Sequence, residues 1–112
     1  MVGPTKAEIW QVELSGSRGH EQNKARPCII WKDLDHAGMA VVIPFTGSLE
    51  RDKFPYTHLV EPSLANGLEK ESVAMVFQIT SLDKKRLIKK LGVLDEKDTH
   101  AIGALLKDML RI

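Results

Sequence analysis

The apolar residues of this chain come in short runs, and that constrains its fold more than any other feature. Ala7–Leu14, Pro27–Trp31, Met39–Thr46 and Ser72–Ile79 are each of strand length, and stretches rich in Gly, Pro, Ser, Asn and Asp separate them. None approaches the ~18 residues needed to cross a bilayer as a helix. In the first run Trp10, Val12 and Leu14 alternate with Gln11 and Glu13, the period of a half-buried strand. With 112 residues the chain is long enough for one domain, which is the expectation for 1–112, with 1–6 as a frayed end.

The runs predict strands over 7–14, 26–32, 39–46, 57–60 and 72–79. Arg26 precedes a proline and is biased to extended backbone. Pro44 cannot donate to a ladder, so the end of the third strand is expected to carry an edge or bulge. The stretch 82–91 fits either a helix or a helical turn over Asp83–Arg86 followed by a short strand, and the second reading is preferred. Gly92 is read as a breaker of that segment. After Asp95, an N-cap candidate with Glu96 and Asp98 behind it, Ile102, Leu105, Leu106 and Met109 follow helical spacing. The fold class is therefore α+β, a small antiparallel barrel with a C-terminal amphipathic helix.

Sixteen Lys and Arg against fifteen Asp and Glu leave a net charge of +1, so overall charge does not select a partner. The cations are clustered instead, at Arg18, Lys24 and Arg26 and again from Lys84 to Lys90, which permits a local anion-binding face. A single cysteine, Cys28, rules out a disulfide within the chain, and its apolar neighbours mark it as a buried hydrophobe rather than a reactive thiol. The four histidines are scattered, with no spacing that suggests a metal site. No apolar stretch of signal-peptide length opens the chain, and a cytoplasmic location is expected.

The polar segment Arg18-Gly19-His20-Glu21-Gln22 leads to Arg26-Pro27. Pro44-Phe45-Thr46, Thr57-His58, Ser72-Val73, Gln78-Ile79 and Leu82-Asp83-Lys84-Lys85-Arg86-Leu87 come later, in that order. Together they resemble the MazF/PemK family of toxins over about 7–95. The chain departs from the family pattern at Asn23-Lys24-Ala25, where a glycine is usual before Arg-Pro, and at Thr80, where the family often has arginine.

The resemblance implies the toxin half of a toxin–antitoxin pair: a homodimeric, metal-independent endoribonuclease without cofactor, cleaving single-stranded RNA on an SH3-like, CcdB/MazF-type barrel. It matches the family's active-site arginine and threonine to Arg26 and Thr46, with Glu21 nearby. It also implies a cognate antitoxin, whose acidic, initially disordered tail would lie over the cationic groove.

The residue types suit that chemistry. Attack by a ribose 2′-OH on the adjacent phosphate needs positive charge on the developing phosphorane, and the planar guanidinium of Arg26 can supply it through two hydrogen bonds. Thr46 offers a hydroxyl to the phosphate. Glu21 is a candidate base or a holder of Arg26, and His20 a speculative acid or base. Arg18, Gln22, Lys24, Lys84, Lys85 and Arg86 are candidate RNA contacts, and Phe54 and Tyr56, in the charged 47–56 loop, candidate stacking surfaces for bases. Trp10, Trp31, Phe45 and Phe77 are read as core. His58 is read as packed or exposed.

Two other readings stay open. A CcdB-like gyrase poison would be implied by a terminal Trp-Gly-Ile, but this chain ends Leu110-Arg111-Ile112. In a purely binding barrel, Glu21 and Arg26 would form a structural pair.

Overall fold

The computed structural model describes residues 3–14 and 25–112. Seven strands, β1 (Glu8–Glu13), β2 (Ala25–Leu34), β3 (Met39–Thr46), β4 (Thr57–Val60), β5 (Ser72–Met75), β6 (Thr80–Asp83) and β7 (Leu87–Val93), precede one helix, α1 (Glu96–Leu110). All pairings are antiparallel. The order across the sheet is β4-β5-β3-β2-β1-β7, with β6 on β3 beyond β5. Among the described residues β4 and β7 are not joined, so the expected closed barrel is replaced by an open sheet.

Alternation along the central strands buries both faces. Ile9, Ile29, Ile43 and Phe45 point into a core shared with Ile102 and Leu106 of α1, while Val12, Cys28, Ile30, Ala40 and Val42 form a second cluster with Leu82. Trp10 and Leu14 pack with Val12, as their spacing predicts. Phe45 is core. Trp31 is only half-buried, with the Lys6 ammonium 4.4 Å from the centre of its ring.

The predicted strand 72–79 is broken. Val73 and Ala74 pair with Thr46 and Phe45, and Thr80 resumes opposite Val42. The intervening Val76–Gln78 forms a 3₁₀ turn beside Ile43 and Pro44. Pro44 has no N–H to continue a ladder, so the irregularity lies where the proline predicts one. The turn brings Phe77 out of the core, with its ring centre 6.0 Å from that of Phe54.

Residues 84–86 form a 3₁₀ turn capped by Asp83, whose carboxylate accepts from the Lys85 N–H at 2.8 Å. A strand follows, as preferred on sequence. Gly92 does not end that strand but lies inside it. A Cβ there would stand 2.3 Å from the Ala65 carbonyl oxygen, so its role is close approach of two backbones. Helix α1 starts as expected, with the Asp95 carboxylate accepting from the Asp98 N–H at 2.8 Å. His58 ties β4 to this helix, its Nε2 2.8 Å from Asp98 Oδ1.

Cys28 is fully buried, and burial pushes its thiol up to about 12 against a smaller opposing effect of the Arg26 charge. Only the thiolate reacts with disulfide reagents. Labelling of native protein at pH 8 is therefore expected to run on the order of 10³-fold slower than that of a free cysteine, and to become fast in denaturant. Rapid native labelling would contradict the buried placement.

Candidate active site

The strand register assembles the site. β2 and β3 pair with Cys28 opposite Pro44, and Arg26 and Thr46 each lie two residues past that pair, at the same end of the two strands. On the other side of β2, Pro27 faces Gln11, which in turn faces Lys89 of β7. Adjacent strands lie roughly 4.8 Å apart, so one end of the sheet brings residues of four strands together, with Gln11 and Lys89 on the face of Pro27 and Arg26, which pairs with Val12, on the alternate one. An open cavity of about 490 Å³ lies there, lined by Gln11, Arg26, Thr46, Glu69, Lys70 and Lys89 among others.

The loop between β4 and β5 delivers Glu69 and Lys70 to this cavity, and it is firmly held. The Asn66 carboxamide oxygen accepts from the N–H groups of Ser63 and Leu68 at 3.0 and 2.9 Å, and its amide donates to the Glu61 carbonyl at 2.9 Å. Leu68 is buried in the core. Gly67 has φ +74°, and a Cβ on it would lie 2.1 Å from the Leu91 carbonyl oxygen. The Val93 N–H donates to the Ala65 carbonyl at 2.8 Å, which fixes the loop on β7.

The electrostatics favour an anion. Lys84 is paired with Asp33 and Asp35, and Lys90 with Glu8. By contrast, no carboxylate of the described residues lies within 4.0 Å of the charged groups of Arg26, Lys70 or Lys89. Three cations on one concave surface, with no ion-pair partner among the described residues, raise the local concentration of a polyanion. The Thr46 Oγ1 accepts from the Ser48 N–H at 3.2 Å, and its own proton stays available to an acceptor in the cavity. The described residues include no cluster of three His, Cys, Asp or Glu able to hold a metal ion.

Of the residues singled out on sequence, Arg26 and Thr46 meet in this cavity. Arg18, His20, Glu21, Gln22 and Lys24 lie outside the described residues. Phe54, Tyr56, Lys84, Lys85 and Arg86 do not line it. Tyr56 donates its hydroxyl to Asp108 Oδ2 at 3.1 Å, which raises its pKa, and so is spent on holding α1. Phe54 packs against Phe77 and carries Arg51 5.2 Å from its ring centre. Arg86 donates to the Glu13 carbonyl at 3.2 Å.

Lys84 is held by Asp33 at 2.7 Å and Asp35 at 3.4 Å. The Asp33 hydrogen bond, partly offset by desolvation, raises its pKa. A raised lysine contributes stability that is complete below its unfolded value of about 10.4 and is lost as pH rises through the folded value. Asp33→Asn is thus expected to lower Tm at pH 8 and to cost little once pH exceeds the folded pKa of Lys84. Melting curves of both proteins across pH 8–12 check this, and a penalty unchanged over that range would contradict it.

Sequence reasoning did not select Gln11, Glu69 or Lys70 for the site, and it placed Lys89 only within a general cation cluster. Spacing along β7 does not mark Lys89, because a register shift sets Leu87 opposite Val12 and Lys89 opposite Gln11. A larger groove of about 1300 Å³, mostly apolar, runs between α1 and Trp31 and Ile79. It holds none of the predicted site residues.

The fold is that of solved MazF structures. MazF (Form-I) from Deinococcus radiodurans superposes with a TM-score of 0.78 at 18% identity over 100% of both chains. The MazE-MazF (Form-II) structure from the same organism gives 0.80 at 18%, over 97% of this chain and 96% of that one. An endoribonuclease in complex with its cognate antitoxin from a mycobacterial species gives 0.72 at 21%, over 100% and 97%. At these identities the likeness is one of fold. A family model for the PemK-like, MazF-like toxin of type II toxin-antitoxin systems matches residues 5–110. This chain belongs to that family.

Proposed function

We propose that the chain is an endoribonuclease toxin that cuts single-stranded RNA at the Arg26–Thr46 cavity. The observation that carries this reading is the meeting of Arg26 and Thr46 beside Lys70 and Lys89 in one open cavity, in a chain of this family.

The ribose 2′-oxygen attacks the neighbouring phosphorus, forming a 2′,3′-cyclic phosphate and releasing the 5′-oxygen as a hydroxyl. The cations need only bind the non-bridging oxygens more strongly as their charge grows. Arg26 does this through its fork and Thr46 through its hydroxyl. Two carboxylates are candidates to take the 2′-OH proton: Glu21, near Arg26 in sequence, and Glu69 on the cavity wall. His20 is a candidate acid for the leaving oxygen. Because the nucleophile belongs to the substrate, no metal-bound water is required.

The biological setting follows from the same reading. The toxin acts in the cytoplasm as a homodimer, and a cognate antitoxin silences it by covering the cationic cavity with an acidic segment. The MazE-MazF complex from Deinococcus radiodurans and the mycobacterial endoribonuclease–antitoxin complex support such a partner. No described helix is long and apolar enough to cross a membrane.

The test is incubation of the protein with a long transcript in excess EDTA. Cleavage that persists is the expected result. RNA left intact at high protein concentration, with or without metal, would favour a binding module or a CcdB-like poison. Cleavage lost only with EDTA would sink the metal-free mechanism.

A further inference from the structure

We propose that Lys70 is a further catalytic residue, a phosphate contact whose ammonium is seated by Gly47. The proposal rests on the endoribonuclease reading for its role in rate, while the phosphate contact itself is testable by binding alone.

Lys70 follows Leu68, which is anchored in the core, and its carbonyl accepts from the Ser72 hydroxyl at 3.0 Å. The side chain leaves this fixed backbone and crosses Gly47. A Cβ built on Gly47 would lie 2.9 Å from Lys70 Cε and 3.0 Å from Nζ. The ammonium therefore rests on the residue next to Thr46, in the cavity that also holds Arg26. No described carboxylate lies within 4.0 Å of it. A cation on a held backbone, with no ion-pair partner among the described residues and lodged where a side chain is missing, is placed for a phosphate oxygen beside the Thr46 hydroxyl.

Gly47 matters here only for the space it leaves. Its φ is not in the left-handed region, and the residue is exposed, so alanine is compatible with the fold. The added methyl group must push the flexible end of Lys70 off its seat. Gly47→Ala thus shifts the charge without removing it.

The experiment uses Lys70→Ala, Gly47→Ala and the double variant of the full chain, in two arms. In the first, cleavage of a transcript is timed. Lys70→Ala is expected to slow it by about 10²-fold, the scale of a lost preorganised donor, and Gly47→Ala by about tenfold. The double variant should be no slower than Lys70→Ala. In the second arm, binding of a fully 2′-O-methylated single-stranded oligonucleotide, which has no 2′-OH to attack with, is measured against salt. Loss of one phosphate contact reduces the slope of log K against log salt by about 0.7 in Lys70→Ala.

A Lys70→Ala slope equal to that of the parent overturns the contact, whether or not the parent cleaves RNA. A Gly47→Ala penalty as large in the Lys70→Ala background as in the parent overturns the seating. If the parent binds with the predicted slopes but never cleaves, the phosphate contact stands, and its catalytic role falls with the endoribonuclease reading.

Discussion

Arg26→Ala is expected to slow RNA cleavage by at least about 10²–10³-fold, the scale of removing a transition-state donor from a preorganised site. The side chain is half-buried at one end of the sheet and has no described carboxylate within 4.0 Å. Its loss therefore breaks no ion pair among the described residues, and stability should change by no more than about 0.5 kcal/mol. Binding of an uncleavable single strand should weaken far less than cleavage, because charge on the phosphate oxygens grows only at the transition state. Arg26→Lys should recover only part of the rate, since a point charge cannot span two oxygens as the guanidinium fork does. Timed digestion beside a melting curve checks both halves. A folded Arg26→Ala variant that cuts at the parental rate would remove Arg26 from the chemistry.

The largest expected effect on stability lies away from the cations. Gly67→Ala is predicted to destabilise by about 3–5 kcal/mol, because two mechanisms of large mutational cost act at once. Its φ of +74° disfavours a side chain, and the new methyl carbon would stand 2.1 Å from one carbonyl oxygen and 2.7 Å from its carbon, both backbone atoms of Leu91. Backbone cannot swing aside as a long side chain can. Relief requires the loop to lift from β7, which would disturb the Ala65–Val93 hydrogen bond, the burial of Leu68 and the placement of Glu69 and Lys70. Activity should fall with stability, and denaturant melts report the first loss. A Gly67→Ala protein of parental stability would mean that the loop does not sit on β7 as described.

Such contacts explain what the sequence could and could not tell. Trp10, Val12 and Leu14 alternate because one side of β1 meets the cluster around Val42, and that alternation is local. Helix α1 was equally plain, since its cap and its Ile102–Leu106 stripe lie within one stretch of chain. The strand expected over 72–79 overran because Val76 and Phe77 favour extended backbone in isolation. They turn where the facing part of β3, between Val42 and Phe45, carries Pro44. Gly92 reads as a breaker in the sequence because a glycine's reason for being in a strand lies in its neighbour, here the Ala65 carbonyl.

The site divides along the same line. Arg26 and Thr46 are recognisable through short motifs, and the ends of β2 and β3 bring them to one cavity. Lys70 carries no such signal: it reaches the cavity only because Asn66, Gly67 and Leu68 fold their loop onto β7 and the core. Lys84 looked like part of a cationic face, but Asp33, distant in sequence, claims it. Tyr56 is likewise taken by Asp108.

The central claim is that the RNA's own 2′-oxygen attacks at the Arg26–Thr46 cavity. The most direct measurement is the chemistry of the cut ends after digestion of an RNA in EDTA. Upstream fragments ending in a 2′,3′-cyclic phosphate or its hydrolysis product, with downstream fragments beginning in a 5′-hydroxyl, are predicted. Fragments carrying a 5′-phosphate and a 3′-hydroxyl would mean that water attacked instead, and would contradict the account.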